Sequence, residues 1–424
     1  MKPSIPSVLP PNGILAEHKG ITRRFFLSLA GGTLAFPAPL RLMAASLPKE
    51  CAEACQAYLD KMEYLTPQAY FGNVSRGNPR PYDLPKDKKR EVGLVQETWK
   101  LEVLSDQDNQ ADLGNPYTLD WKGLMAMAGE HAVTVPKVMT CLNRGNPHGM
   151  GFWEGVPLRE IIWKAKPEKN LRRVFYHGYH NGDPKQIFQS SLPIGRVLED
   201  PFDIPPVLVC YKLNGEFLKG QRGGPVRMLV PEAYGFKSVK WLERVTLSNL
   251  PHANDTYANG NNDIDSYMKT FAKSLMRPKK IEAGKVFPAT GFAQVGVSGL
   301  AKVQTLVLPK EKAYSWPADD PYYTKADWQD AHILPPPDEW PDKLPANLNK
   351  SNIHGFDPTT GKPKRWPLKF TWAHWATLLP ALPKGDHTLL CRSIDENGHP
   401  QPMPRPFRKD GRNAIERVTL EVGA

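Results

Sequence analysis

One thiol is the natural starting point for chemistry in this chain. Cys141 ends a strand-like run within Val135–Trp153, VPKVMTCLNRGNPHGMGFW, and Asn143, Arg144, Gly145 and Asn146 follow it directly. A fixed guanidinium close to sulfur favours the thiolate, and a thiolate suits a soft or high-valent metal. Within its own window such a cysteine is better explained as a small buried apolar residue. Its meaning therefore depends on what other chemistry the chain carries.

The second such stretch is Gln221–Leu247, QRGGPVRMLVPEAYGFKSVKWLERVTL. Arg222, Arg227, Lys237 and Lys240 fall within it, punctuated by Gly223, Gly224 and Pro225. Glycines let backbone N–H groups approach an anion closely and the cations neutralise it, so the pattern suits a phosphate. Two polar loops add single groups: Arg76 in TPQAYFGNVSRGNPRPYDLP, and Tyr257 and Tyr267 in LPHANDTYANGNNDIDSY. A phenol can hydrogen-bond a substrate and pass a proton. The other cysteines, Cys51, Cys55, Cys210 and Cys391, make no CxxC or CxxCH, so zinc, iron–sulfur and c-type haem have no support. Cys51 and Cys55 lie four apart on a predicted helix and could face one another, a spacing that disfavours an unstrained disulfide.

These groups need rigid carriers. KVMTC reads as the strand that delivers Cys141, Val156 to Trp163 as a helix, LRRVFYHGYH as a strand, and PPVLVCYKLNGEFL as two strands joined by Asn214-Gly215. From about Ile281 the pattern changes to KVFPATGFAQV, LAKVQTLVL, LKFTWAHWATL, HTLLCRSIDENG and AIERVTLEV, the signature of a β-sandwich. A Trp-, Pro- and Asp-rich segment between Pro309 and Pro367 is too long for a simple loop and is expected to be an ordered insertion or a partner surface. The 424 residues, 40% hydrophobic and 23% charged, are ample for two cores. A formal charge of +11 favours anionic partners, and no nucleic-acid motif accompanies it. At the N-terminus Arg23-Arg24 precede the small apolar run SLAGGTLAFPAPL and MAAS, which reads as a twin-arginine export signal over residues 1–45.

TCLNRGNP, GFWEGVPLREII, the hairpin VLVCYKLNGEFL and the Gln221–Leu247 segment together resemble the sulfite oxidase family of molybdopterin enzymes. The resemblance runs from about Tyr70 to the C-terminus apart from the insertion. It implies an α+β molybdopterin-binding domain over 46–282, then an immunoglobulin-like dimerisation domain over 283–424 with an insertion at about 309–367. It also implies a Mo-molybdopterin cofactor whose only protein ligand is Cys141. Arg76 matches the basic residue of the family's F-x-R-N-H loop, and Asn78 takes its histidine position. His180 stands where the family has an aspartate that touches the pterin, and Arg222 where it has histidine. Arg227 matches the PVR arginine; Ser238, Val239 and Lys240 match the segment that closes over the pterin. Trp153 would wall the pocket, Tyr257 would hydrogen-bond the substrate, and Arg76 and Arg144 would hold its oxyanion.

Two departures bear on the substrate. The family's Cys-x-Gly-Asn-Arg loop is one residue shorter here, Cys141-Leu142-Asn143-Arg144, and Leu300 stands where the dimerisation domain usually supplies an arginine. The implied reaction is oxidation of a small sulfur oxyanion, sulfite to sulfate. The alternative is a larger or carrier-bound sulfur substrate, or reduction of an S-oxide or N-oxide. With no haem motif, electrons must leave to a separate protein, expected to be a cytochrome. A homodimer and a periplasmic location, reached folded because the cofactor is inserted first, complete the expectation. A metal-free binding protein on the same fold is the rival from another class, and Cys141 with the basic segment argues against it.

Overall fold

Three β-sheets and several short helices build this protein, seen in a computed structural model that describes residues 48–423 other than 61–62, 202, 316–321, 338–339, 341–343 and 404. The expected export signal lies outside the described residues. The first sheet runs in the order Tyr117–Asp120, Lys100–Ser105, Leu242–Ser248, Arg173–Gly178 and Gln189–Pro193, with one parallel pair, Lys100–Ser105 beside Leu242–Ser248. The second runs Val133–Thr140, Pro147–Pro157, Leu208–Leu213 and Glu216–Phe217, and Arg227–Leu229 also pairs with Leu208–Leu213. One core of branched and aromatic residues, among them Val103, Val138, Phe152, Tyr176 and Val245, lies between these sheets.

Local chemistry explains several joints. Asp120 is extended ahead of the helix Trp121–His131, and its Oδ1 accepts the Gly123 N–H at 2.7 Å, capping an otherwise unpaired donor. Asn214 and Gly215 have φ of 52° and 80°, the positive pair that a two-residue type I′ hairpin requires. Lys212 accordingly faces Phe217, and Leu213 faces Glu216.

Val133–Thr140, the strand that leads to Cys141, is at a sheet edge, which is where Pro136 can be tolerated without losing a ladder bond. An open edge would be sticky, and this one is covered. The Thr134 N–H donates to Asn352 O at 2.9 Å, and the Val138 N–H to Phe370 O at 2.7 Å. Trp340, Leu344, Leu348, Ile353 and Phe356 of the insertion are buried in the same core, with the Phe152 ring 5.7 Å from both Trp340 and Phe356. These residues of the insertion are therefore part of the scaffold behind the Cys141 strand.

The third sheet has eight strands: Phe271–Met276, Phe287–Gln294, Trp372–Leu379, Gln329–Ile333, Lys302–Pro309, Gly385–Ile394, Glu416–Gly423 and Ile281–Glu282. Gln329–Ile333 bridges its halves, pairing with Trp372–Leu379 on one side and Lys302–Pro309 on the other. The sheet encloses a core of Ala289, Val295, Leu300, Val303, Trp375 and Leu389, which makes the C-terminal part sandwich-like. With few helices and mixed sheets, the architecture is α+β.

Candidate active site

A cavity of about 210 Å³ forms where the Cys141 turn meets the loop around Arg76, the Gly235–Trp241 turn, Tyr257 and Lys409. Cys141 follows directly on the last residue of its strand. Its carbonyl accepts the N–H groups of Arg144 and Gly145, both at 3.3 Å, which closes the turn tightly. Gly145 has φ of 67°, and a Cβ there would sit 2.9 Å from Arg412 Cβ, so only glycine suits this position. The other four cysteines are buried free thiols. Cys51 Sγ and Cys55 Sγ are 3.8 Å apart, and burial pushes the Cys55 and Cys210 thiols up to about 12.

Three cations crowd one side of the cavity. Arg222 Nη1 donates to Gly72 O at 2.9 Å; Arg227 donates to Arg222 O at 2.8 Å and to Ser238 O at 2.6 Å. Lys240 Nζ donates to Gln221 O, Asn73 Oδ1 and Val74 O at 2.7, 2.8 and 2.9 Å. Lys240 also needs Gly223, whose φ is 96° and whose Cβ would lie 2.7 Å from Lys240 Cγ. Among the described residues no aspartate or glutamate lines the cavity. Burial lowers Arg227 to about 10 and Lys240 well below its ordinary value, and in both cases the repulsion of Arg222 adds to the shift. Arg222 Nε and His148 Nε2 are buried without a hydrogen-bond partner. Burial, with Arg144 next, holds His148 down at about 4, so it is neutral at physiological pH.

Much of the remaining lining is aromatic. The Arg76 guanidinium lies 4.4 Å from the centroid of Phe188, and Tyr257 stacks on Phe236 at 3.6 Å. Asp255 holds this turn: its Oδ1 accepts the Tyr257 N–H at 3.0 Å and its Oδ2 accepts the Ser191 hydroxyl at 2.7 Å. Burial, and then the neighbouring Cys141, push the Tyr257 phenol up to about 12, against the opposing charge of Arg76. Trp153 is fully buried, donates from Nε1 to Lys137 O at 3.1 Å, and has Arg227 5.2 Å from its ring centroid.

The structure thus gathers Cys141, Arg76, Trp153, His180, Arg222, Arg227, Ser238, Val239, Lys240 and Tyr257 around one cavity. Asn78 and Arg144 do not line it. Asn78 is exposed and gives its N–H to Gln186 Oε1 at 3.0 Å. Arg144 is exposed too: the shortened turn presents Asn143 to the cavity instead, and Arg144 acts there only through its field at His148. Leu300, at the position of the family's sandwich-borne arginine, is 1% exposed in the sandwich core and does not face the cavity. Among the lining residues not singled out from sequence are His148, Phe188, Phe236 and Lys409. His148 carried a signal, a lone imidazole in the strand that follows Cys141. Lys409 carried none beyond a basic loop.

The cavity tests well against a bound molybdopterin. Its clustered cations and two orphaned nitrogens suit an anionic, hydrogen-bonding group. Among the described residues no three or more His, Cys, Asp or Glu side chains come together to hold a metal, so a metal at Cys141 must bring most of its own ligands. A pterin dithiolene does that.

Comparison with known proteins agrees. Residues 89–256 match the oxidoreductase molybdopterin binding domain family. The sulfite oxidase of Gallus gallus is 34% identical over 99 residues, covering 23% of this chain and 21% of the relative. The NADPH nitrate reductase of Beauveria bassiana is 30% identical over 103 residues, 24% of this chain and 11% of the relative. The chain thus spans about a tenth to a fifth of these relatives' lengths. The crystal structure of the sulfane dehydrogenase SoxCD from Paracoccus pantotrophus superposes with a TM-score of 0.53 at 17% identity, over 77% of each chain. Fold and site define a molybdopterin-dependent oxidoreductase. Within that class the chain is similar to proteins of the sulfite oxidase family over part of its length.

Proposed function

We propose that this protein oxidises a small sulfur oxyanion, sulfite foremost, to the sulfate level by oxygen-atom transfer, and passes the electrons to a separate cytochrome. The observation that carries this reading is the convergence of the Cys141 thiol and three carboxylate-free cations, Arg222, Arg227 and Lys240, on one cavity. Molybdopterin, when bound, supplies the two-electron redox chemistry and the transferable oxygen.

The chain's own residues do the rest. Cys141 ligates the metal as thiolate. Arg222, Lys240 and the neutral His148 face the cofactor's polar groups, with Arg227 bracing Arg222 O and Ser238 O behind them. Arg76 offers positive charge to the substrate oxyanion. Tyr257, held up at about 12, keeps its proton at neutral pH and donates it as a hydrogen bond to a substrate oxygen. Phe188, Phe236 and Trp153 form an apolar wall that strengthens these electrostatic contacts by keeping water out.

Export folded to the periplasm rests on Arg23-Arg24 and the apolar run behind them, and a homodimer on the sandwich-like C-terminal part. Replacing Arg23 and Arg24 with lysine should leave cofactor-bearing protein in the cytoplasm; cofactor-loaded protein in the periplasm would overturn the export route. A second reading, a larger or carrier-bound sulfur substrate, is favoured by the aromatic wall. The decisive experiment purifies the protein from a host that makes the cofactor, measures molybdenum and released pterin, and follows acceptor-coupled oxidation of sulfite beside that of an organic persulfide. Fast persulfide turnover with sluggish sulfite turnover would select the second reading. Nitrate reduction by reduced dye would point to a reductase, and absence of molybdenum would refute all three.

A further inference from the structure

The sandwich half of the protein still sends a cation to the cavity, though not from residue 300. Lys409 belongs to the segment between the strands Gly385–Ile394 and Glu416–Gly423, and it lines the cavity. Its Nζ lies 5.8 Å from the centroid of the Tyr257 ring. Among the described residues that ammonium has no hydrogen-bond or ion-pair partner.

The backbone around it is firmly held. The Asp263 N–H donates to Lys409 O at 3.1 Å. Arg405 donates to Asp410 O at 2.6 Å and Tyr267 O at 2.9 Å, and pairs with Asp263 at 3.1 Å. Lys269 donates to Gly411 O at 3.0 Å and pairs with Asp410 at 3.4 Å. The neighbouring cations are thus engaged with acids and carbonyls while Lys409 alone is left facing the cavity. A fixed backbone presenting an unneutralised ammonium holds that charge in place for an arriving anion.

The geometry around Lys409 gives it a partner across the aromatic cluster. Arg76 lies over Phe188, Phe188 meets Tyr257 edge-on at 5.8 Å, and Lys409 lies over Tyr257. An anion beside Tyr257 therefore has a cation on either flank. We propose that Lys409 is a specificity-determining residue that binds the substrate oxyanion together with Arg76, so that the sandwich half completes the site through this loop. This rests on the sulfur oxyanion reading above and assigns the substrate two or more oxygens on sulfur.

The test measures sulfate binding by calorimetry on the molybdenum-loaded protein alongside sulfite kinetics and metal content. Lys409→Met should weaken sulfate binding and raise the sulfite KM by about ten- to hundredfold, the size of a lost charge-assisted hydrogen bond, with kcat within about threefold and molybdenum unchanged. Lys409→Arg should restore most of the affinity. Arg408→Met, which removes an exposed charge one residue away, should move neither value by more than about twofold, since surface charges are screened. Wild-type-like sulfate binding and KM in Lys409→Met, or a wild type that binds no sulfate, would overturn the proposal. A wild type that binds sulfate through Lys409 yet turns over no sulfur oxyanion would uphold the anion site and refute the proposed reaction.

Discussion

Arg222 is the position where cofactor retention and the stability of the empty protein should move in opposite directions. It is 4% exposed, yet among the described residues the guanidinium makes a single hydrogen bond from Nη1, to Gly72 O at 2.9 Å, and its Nε has no partner. It also repels Arg227 and Lys240, lowering the pKa of both. In Arg222→Met the empty protein loses one hydrogen bond, worth about 1 kcal/mol, and sheds a desolvated like charge of similar or larger cost. Its unfolding free energy should therefore stay within about 1 kcal/mol of wild type or rise. Cofactor retention should fall, because a charge-assisted hydrogen bond to an anion is worth about 1.5 to 3 kcal/mol, or roughly ten- to hundredfold in affinity. The assay combines molybdenum and released pterin per chain through prolonged dialysis with urea melts of the cofactor-free forms. Arg227→Met is the contrast: it strands Arg222 O and Ser238 O and should cost about 2 to 4 kcal/mol in the empty protein as well. If Arg222→Met keeps wild-type cofactor through dialysis, or its empty form loses more than about 3 kcal/mol, Arg222 is a structural strut and the reasoning fails.

Cys141→Ser should abolish turnover, since a hydroxyl is a poor substitute for a soft thiolate; sustained activity in that variant would remove the assignment of Cys141 as metal ligand. His374 is 3% exposed, and burial lowers it from 6.5 to about 4. Between those values the unfolded chain takes up a proton that the folded protein refuses, so stability is full above about pH 6.5 and drops by about 3 kcal/mol as pH falls to about 4. Urea melts at several pH values should show a flatter acid limb in His374→Gln, and parallel curves would refute the prediction. Leu300→Arg should place an unpaired charge in the sandwich core, lowering the melting temperature without improving the sulfite KM. An improved KM in that variant would mean residue 300 reaches the substrate after all.

Much of this was already written in short stretches of sequence. A strand running into Cys141 and a polar turn, the Asn214-Gly215 hairpin, and the glycines and cations of Gln221–Leu247 each depend on backbone preferences acting over a few residues. Such preferences are visible in sequence, and they singled out Cys141 and most of the cations that line the cavity. Tertiary structure decided the rest. Whether Arg144 or Asn143 faces the cavity depended on where the Cys141 carbonyl collects its N–H bonds. Leu300 could be assigned to core or cavity only once the sandwich had closed around it. The insertion gave no hint that its buried tryptophan and leucines would cover the edge of the Cys141 sheet. Lys409 is far from Cys141 in the chain and joins the site only through the contacts of its loop with Asp263, Tyr267 and Lys269. Local patterns fix turns and strand faces, but charges from distant segments converge according to how whole sheets stack, and that stacking is settled by the long-range burial of apolar surface.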